Sequence, residues 1–249
     1  MTDQPAPGRR FLGAAKEVLI VIVGALVISA LLRAFVFEPF TIPSGSMENT
    51  LQVSDKVVAQ KVTDFKRGDV IVFRDPGQWV TNPPLPRSNP ATIGLEFLGV
   101  LPNSSDNFLT KRVIGLPGDR VKCCDAEGKL SVNDKALDES GYLFADHNGV
   151  VAPSEHEFEV VVPRDSLFVL GDHRNASADS RCHMSEPSAT GPAGSAAFVP
   201  IDHVVGAVGM IVAPFERWQQ LRTPPVFDGV PPPDGEPPAV AEIITRSDC

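Results

Sequence analysis

The sequence predicts a mainly β protein: a coiled antiparallel sheet, barrel-like in outline, carried outside the cytoplasm on a single N-terminal transmembrane helix. Three features lead to it. One apolar run, residues 18–37, is long enough to cross a bilayer. Short valine- and isoleucine-rich runs then follow one another between turn residues. No long amphipathic helical pattern separates them.

The anchor comes first. Residues 1–16 are read as a cytoplasmic segment and 17–37 as the span. Only Gly24, Ser29 and Arg33 break the apolar character of 18–37. At about 1.5 Å per helical residue the run reaches roughly 30 Å, the thickness of a hydrocarbon core. Arg33 falls near the outer end, where its side chain can snorkel to the headgroups. Arg9, Arg10 and Lys16 precede the span, so the positive-inside rule places the N-terminus in the cytoplasm and the rest of the chain outside. A cleavable leader would have a shorter apolar core and a small-x-small site after it. Here the flank is Phe35-Val36-Phe37-Glu38-Pro39-Phe40, which is bulky, and the expectation is a permanent anchor in the cell membrane.

Residues 38–222 make the extracytoplasmic β-rich domain. Its strands are expected at 56–62, 69–73, 109–114, 120–124, 130–133, 158–162, 167–170 and 204–212, punctuated by Arg67-Gly68, Pro117-Gly118, Glu127-Gly128 and Asn133-Asp134. Two inserts interrupt it. The first, 76–107, is rich in Pro and Asn but carries Trp79, Leu95, Phe97, Leu98 and Leu101. It reads either as a solvated loop folded back on the body or as a loop that dips into the membrane or faces the substrate. The second, 185–197, is small and polar, the composition of a flexible loop. From 223 to 249 proline and acidic residues dominate. Such a segment has little apolar surface to offset its ordering entropy, and disorder is expected.

Charge and composition exclude some functions. The net charge of −9 argues against a nucleic-acid binder, which needs a basic face. Four cysteines outside the cytoplasm are expected to form disulfides. Because neighbouring cysteines rarely pair, Cys124 (or Cys123) with Cys182 is the preferred bond. A zinc site from Cys123, Cys124, Cys182 and His183 lacks the usual paired-ligand spacing. Neither a metal nor a cofactor is expected.

The common hydrolase signatures are absent: no G-x-S-x-G, no S-x-x-K and no H-E-x-x-H. Asp172-His173 suggests part of a Ser-His-Asp triad, but no serine is fixed beside it and a polar turn explains both residues. Ser46 and Lys111 form a coherent pair. A neutral amine serves as base for a hydroxyl if burial lowers its pKa, and the 109–114 strand gives Lys111 a rigid mount in such a pocket. Each residue taken alone also has a plain role. Pro43-Ser44-Gly45-Ser46 is a turn sequence, and Lys111-Arg112 fits a solvated strand face.

Taken together the motifs resemble the boxes of the type I signal peptidases, also called leader peptidases. They are Ile42-Pro43-Ser44-Gly45-Ser46-Met47 with Thr50-Leu51, then Arg67-Gly68-Asp69-Val70-Ile71-Val72-Phe73. Next come Lys111-Arg112-Val113-Ile114-Gly115-Leu116-Pro117-Gly118-Asp119 and the run from Gly171 through Asp172, His173, Arg174, Asn175, Ala176, Ser177, Ala178, Asp179 and Ser180 to Arg181. All four occur in order after an N-terminal anchor. The resemblance implies Ser46 as nucleophile and Lys111 as general base. It also implies Ser44 as an oxyanion donor, Ser177 as a hydrogen-bond partner that orients the amine, and Asp179 with Arg181 as a bracing ion pair. The last box departs from the family's usual form at His173, Asn175 and Ala176, and His173 is expected to be a local variation.

The nine residues from Glu38 to Ser46, at no more than about 3.6 Å each, keep the serine near the outer bilayer surface. By the resemblance, the partners are secretory preproteins, bound extended and cut after small-x-small (Ala-x-Ala-like) sites, with residues around 40–43 lining the pockets. The lipid bilayer is the other partner. Two alternatives remain at this point. One is a Ser-Lys peptidase with another substrate, such as a self-cleaving regulator. The other is a non-catalytic, membrane-anchored β module that binds envelope partners.

Overall fold

The computed structural model describes residues 7–77, 79, 80, 89, 107–186 and 192–247, with side chains in the first helix described for 16–32, 34 and 35. That helix, α1 (Pro7–Phe35), is 29 residues long. Val18, Leu19, Ile20 and Val21 are all exposed, and four successive residues span a full turn, so that turn has no polar side. Among the described residues no helix is long and apolar enough to cross a membrane. The helix also stops two residues short of the expected boundary. Pro39 has no N–H for a helical ladder and disfavours helical backbone at Glu38, and the chain is extended from Phe37 onward.

Among the described residues fifteen strands follow: β1 (Phe37–Thr41), β2 (Lys56–Gln60), β3 (Val70–Arg74), β4 (Phe108–Gly115), β5 (Arg120–Cys123), β6 (Ser131–Val132), β7 (Lys135–Ala136), β8 (Ala145–Asp146), β9 (Gly149–Val150), β10 (Phe158–Val161), β11 (Ser166–Leu170), β12 (Val199–Pro200), β13 (Val204–Ala213), β14 (Gln219–Gln220) and β15 (Glu242–Thr245). Each of the eight expected runs overlaps one of them. β1 to β4 and β11 to β14 form an eight-stranded sheet in the order β1-β2-β13-β3-β4-β11-β12, with β14 beside β13. A five-stranded sheet runs β15-β10-β5-β6-β7, and β8 pairs β9 alone.

The larger sheet coils without closing. β1 and β12 remain its edges, so the expected barrel-like outline is corrected to an open, curled sheet. The curl still matters for the site. The Phe40 ring on β1 meets the Phe108 ring on β4 at 4.9 Å between centroids, although three strands lie between β1 and β4 in sheet order. Strand twist and register shifts along β13, at Val204/Gly206, Val208/Met210 and Ile211/Ala213, bend the sheet that far.

Three apolar clusters hold the body. Ile114, Val121, Phe158, Phe168 and Leu170 fill the space between the two sheets. Phe40, Ile42, Met47, Leu51, Val72 and Ile211 pack beneath the segment that carries Ser46. Ile71, Phe73, Trp79, Val113 and Val169 form the third. Trp79 thus folds inward, stacks on His183 at 4.4 Å and donates its indole N–H to the Ala196 carbonyl. Leu95, Phe97, Leu98 and Leu101, and with them the membrane-dipping reading of the first insert, lie outside the described residues.

Residues 223–247 of the proline-rich tail pack on the body, where disorder was expected. Phe227 is buried in the first cluster, and its ring occupies the space where a Cβ on Gly68 would stand. Thr223 donates to Asp69, Lys135 to the Asp228 carbonyl, Asn133 to the Pro231 carbonyl and the Arg164 N–H to the Pro238 carbonyl. β15 then adds an edge strand to β10. Sparse apolar residues suffice here because each meets a prepared groove, and prolines lose little conformational freedom on ordering.

The cysteines also differ from the expected arrangement. Cys123 is bonded to its neighbour Cys124, and Cys182 is in a disulfide with neither. β5 ends at Cys123, so Cys124 is free of the ladder and its sulfur can turn back.

Candidate active site

Ser46 stands on one short turn, Gly45–Met47, just past β1. Two things pin that turn. Met47 and Leu51 are fully buried in the second cluster, and the loop is closed by backbone bonds from the Ile42 N–H to the Asp55 carbonyl and from the Ser54 N–H to the Ile42 carbonyl. Asn49, at a left-handed φ of 83° that asparagine tolerates, reaches across to donate to the Tyr142 and Leu143 carbonyls. The serine is therefore fixed from both sides although no long element carries it.

Lys111 comes from the middle of β4, held between β3 and β11. It is only 3% exposed and Ser46 only 8%. Its Nζ lies 2.6 Å from Ser46 Oγ. Burial pushes the amine down from 10.5 to about 8; the Asp179 and Asp172 carboxylates pull it back up, and the Arg181 guanidinium lowers it further. The amine thus gives up its proton within about a unit of neutral pH, and it touches the hydroxyl that it would deprotonate.

Arg112 follows Lys111 and leaves the strand on the other face. It is not solvated either. Its guanidinium grips Asp172, donates to the Gly68 carbonyl and lies over the Tyr142 ring at 4.3 Å. Asp172 is therefore occupied as a structural anion, accepting also from Thr50.

The other expected residues converge from the β11–Arg181 segment. Ser177 is buried at the site, but its hydroxyl donates to Asp179 Oδ2 at 2.8 Å rather than to the Lys111 amine. Asp179 also takes a two-pronged contact from Arg181, 2.9 Å from Nε and 2.8 Å from Nη2, and the Gly171 N–H at 3.0 Å. Burial works to raise the Asp179 carboxyl, yet the Arg181 charge and hydrogen bonds hold it below the usual carboxylate range. Ser44 stands exposed at the mouth, its Oγ 3.5 Å from Ser46 Oγ.

Sequence reasoning missed three supports. Gly171 lets two backbones meet: a Cβ there would lie 2.2 Å from Ser177 Oγ and 2.5 Å from the Ser46 carbonyl oxygen. Arg174 forms a buried double contact with Glu139, and Tyr142 donates to the same carboxylate. Glu139 sits in no motif, so nothing in the chain pointed to it. His173 reaches the turn that carries Ser46.

A narrow cleft opens onto the pair. Ile42, Pro43, Ser44 and Met47 form one wall, and Phe108, Leu109 and Thr110 the other. Of the segment expected to line pockets, Ile42 and Pro43 do so, whereas Phe40 is buried beneath. Among the described residues no group of three or more His, Cys, Asp or Glu side chains could hold a metal.

The family model "Signal peptidase, peptidase S26" matches residues 15–213 of the chain. A signal peptidase I of Mycobacterium tuberculosis is 33% identical over 240 residues, covering 89% of this chain and 80% of the relative. A probable signal peptidase I of Mycobacterium leprae is 36% identical over 226 residues, 81% and 77% of the two chains. A solved signal peptidase I of Enterococcus faecalis aligns with 59% of this chain and 97% of its own, at 23% identity and a TM-score of 0.34.

Proposed function

The chain belongs to the signal peptidase S26 family, and we propose that it is a serine endopeptidase that removes signal peptides from exported preproteins. Ser46 is the nucleophile and Lys111 its general base. The single observation that carries this is the 2.6 Å contact between a buried lysine amine and a serine hydroxyl at the head of a cleft.

The chemistry runs through this chain's own groups. Lys111 takes the Ser46 proton as Oγ attacks the scissile carbonyl. The oxyanion that forms is met by the Ser44 hydroxyl and the Ser46 backbone N–H. The protonated amine then donates to the leaving nitrogen, which gives an acyl-enzyme, and the same amine activates water to release it. Asp179, anchored by Arg181, Ser177 and the Gly171 N–H, supplies a fixed negative charge that stabilises the transient ammonium. Ser177 acts on the amine through this carboxylate.

The substrate lies extended between the 42–44 and 108–110 walls, as an added strand would. The cleft is shallow, which favours small side chains before the cut. The apolar run 18–37, in which the Arg33 side chain lies outside the described residues, anchors the enzyme in the cell membrane, N-terminus inside, and the exposed apolar residues of α1 from Val18 to Leu32 support that placement. The site then sits close to the outer bilayer surface, where a preprotein presents its cleavage region.

The test is cleavage of a full-length preprotein by detergent-solubilised wild type and Lys111→Ala, with folding followed by circular dichroism. The wild type is expected to cut after a small-x-small site and the folded variant not to cut. Equal cutting by both would remove Lys111 from the reaction, and no cutting by either would favour a binding module.

A further inference from the structure

A single turn is a weak mount for a nucleophile, and Gly45–Met47 has no regular element to hold its outer side. His173 reaches it at three points. Its backbone N–H donates to the Ser46 carbonyl at 3.1 Å. Its ring Nδ1 lies 3.0 Å from Glu48 Oε2 and 3.3 Å from the Gly45 carbonyl oxygen. Both of these are acceptors, so Nδ1 carries the hydrogen and donates to Glu48, with Gly45 as a longer second branch. The ring cannot swing away, because it is stacked on Phe144 at 3.8 Å and 20°. Phe144 is itself tied by its N–H to the Asp172 carbonyl.

The position in the chain adds a second consequence. Gly171 packs on Ser46 and Ser177, Asp172 clamps the arginine beside Lys111, and His173 holds the turn of Ser46. Three successive residues thus set both partners of the pair against each other.

We propose that His173 is a positioning residue for Ser46, with Glu48 as the acceptor that selects its tautomer. The imidazole bridges both ends of the turn and keeps Ser46 Oγ on the Lys111 amine. The role rests on the Ser46–Lys111 reading of the function. It is neither that of a base nor that of a substrate contact, so its loss should lower kcat and leave KM nearly unchanged.

The experiment compares steady-state cleavage of a preprotein by the full-length, detergent-solubilised wild type, His173→Phe and His173→Asn, with thermal melts of each. Phe keeps a ring against Phe144 but has no donor. Asn carries an amide nitrogen on Cγ, where the imidazole carries Nδ1. Because small misplacements of reacting groups cost large factors, His173→Phe is expected to lose about tenfold or more in kcat with KM within about twofold. His173→Asn should recover to within about threefold of wild type. A wild-type kcat in His173→Phe overturns the proposal, and so does an Asn variant no better than Phe. Should His173→Phe fail to fold, Glu48→Ala at its partly exposed position decides: a lowered kcat supports the proposal and an unchanged one overturns it. A wild type that does not cut brings down the functional reading and this one together. A wild type that cuts beside an indifferent His173→Phe brings down this one alone.

Discussion

The buried amine of Lys111 makes a prediction in two observables. With its pKa at about 8, about a tenth of free enzyme molecules carry the neutral base near pH 7 and about nine tenths near pH 9. The rate constant kcat/KM should therefore rise about tenfold across that interval and then level off, since it follows the free enzyme's ionisation. Stability carries the same signature. Lowering the amine from 10.5 to about 8 penalises the charged form by about 3 kcal/mol, at about 1.36 kcal/mol per pH unit. Unfolded chains bind the proton up to the higher value, so the folded state gains that stability as pH rises from about 8 towards 10.5. Below about 8 the penalty is present in full, and Lys111→Met should be the more stable protein there by a comparable amount. The assays are kcat/KM for a preprotein from pH 6 to 10, and urea unfolding of wild type and Lys111→Met at pH 7. A rate limb centred near the ordinary lysine value, or a Lys111→Met variant less stable than wild type, would refute the reasoning.

Three further outcomes are expected. Gly171→Ala places a methyl 2.2 Å from Ser177 Oγ and 2.5 Å from the Ser46 carbonyl oxygen, so it should cost about 1–3 kcal/mol in denaturant unfolding and about a hundredfold in kcat. Arg174→Met leaves Glu139 charged and buried without its cation, and thermal or urea unfolding should report a loss of about 3–5 kcal/mol. Phe227→Ala should cost about 3 kcal/mol by urea unfolding, because the tail is part of the core; an unchanged midpoint would return the tail to the disordered state that its composition suggests.

The strands were legible because their signals are local. β3, β4, β5, β10, β11 and β13 each show β-branched side chains bounded by glycine, proline or asparagine turns, and each formed within a few residues of its expected place. The Ser46 and Lys111 candidates were legible for a different reason: their flanking residues matched known motifs in order. Strands as short as β7, β8 and β9 carry no periodic signal over two residues, and β15 was hidden among prolines. Open or closed geometry of the sheet depends on accumulated twist and on the shifts along β13, which no single strand encodes.

By itself, then, the sequence determined the apolar helix, the succession of strands and which serine and lysine to watch, since propensity, turn chemistry and motif order are properties of neighbouring residues. Only the tertiary structure decided that Ser46 and Lys111, 65 positions apart, touch in a dry place. It alone turned Ser177 towards Asp179, packed Phe227 against Gly68 and brought His173 to the turn of Ser46. Those outcomes depend on how the coiled sheet packs distant segments and excludes water between them, and desolvation belongs to the assembled neighbourhood rather than to any one residue.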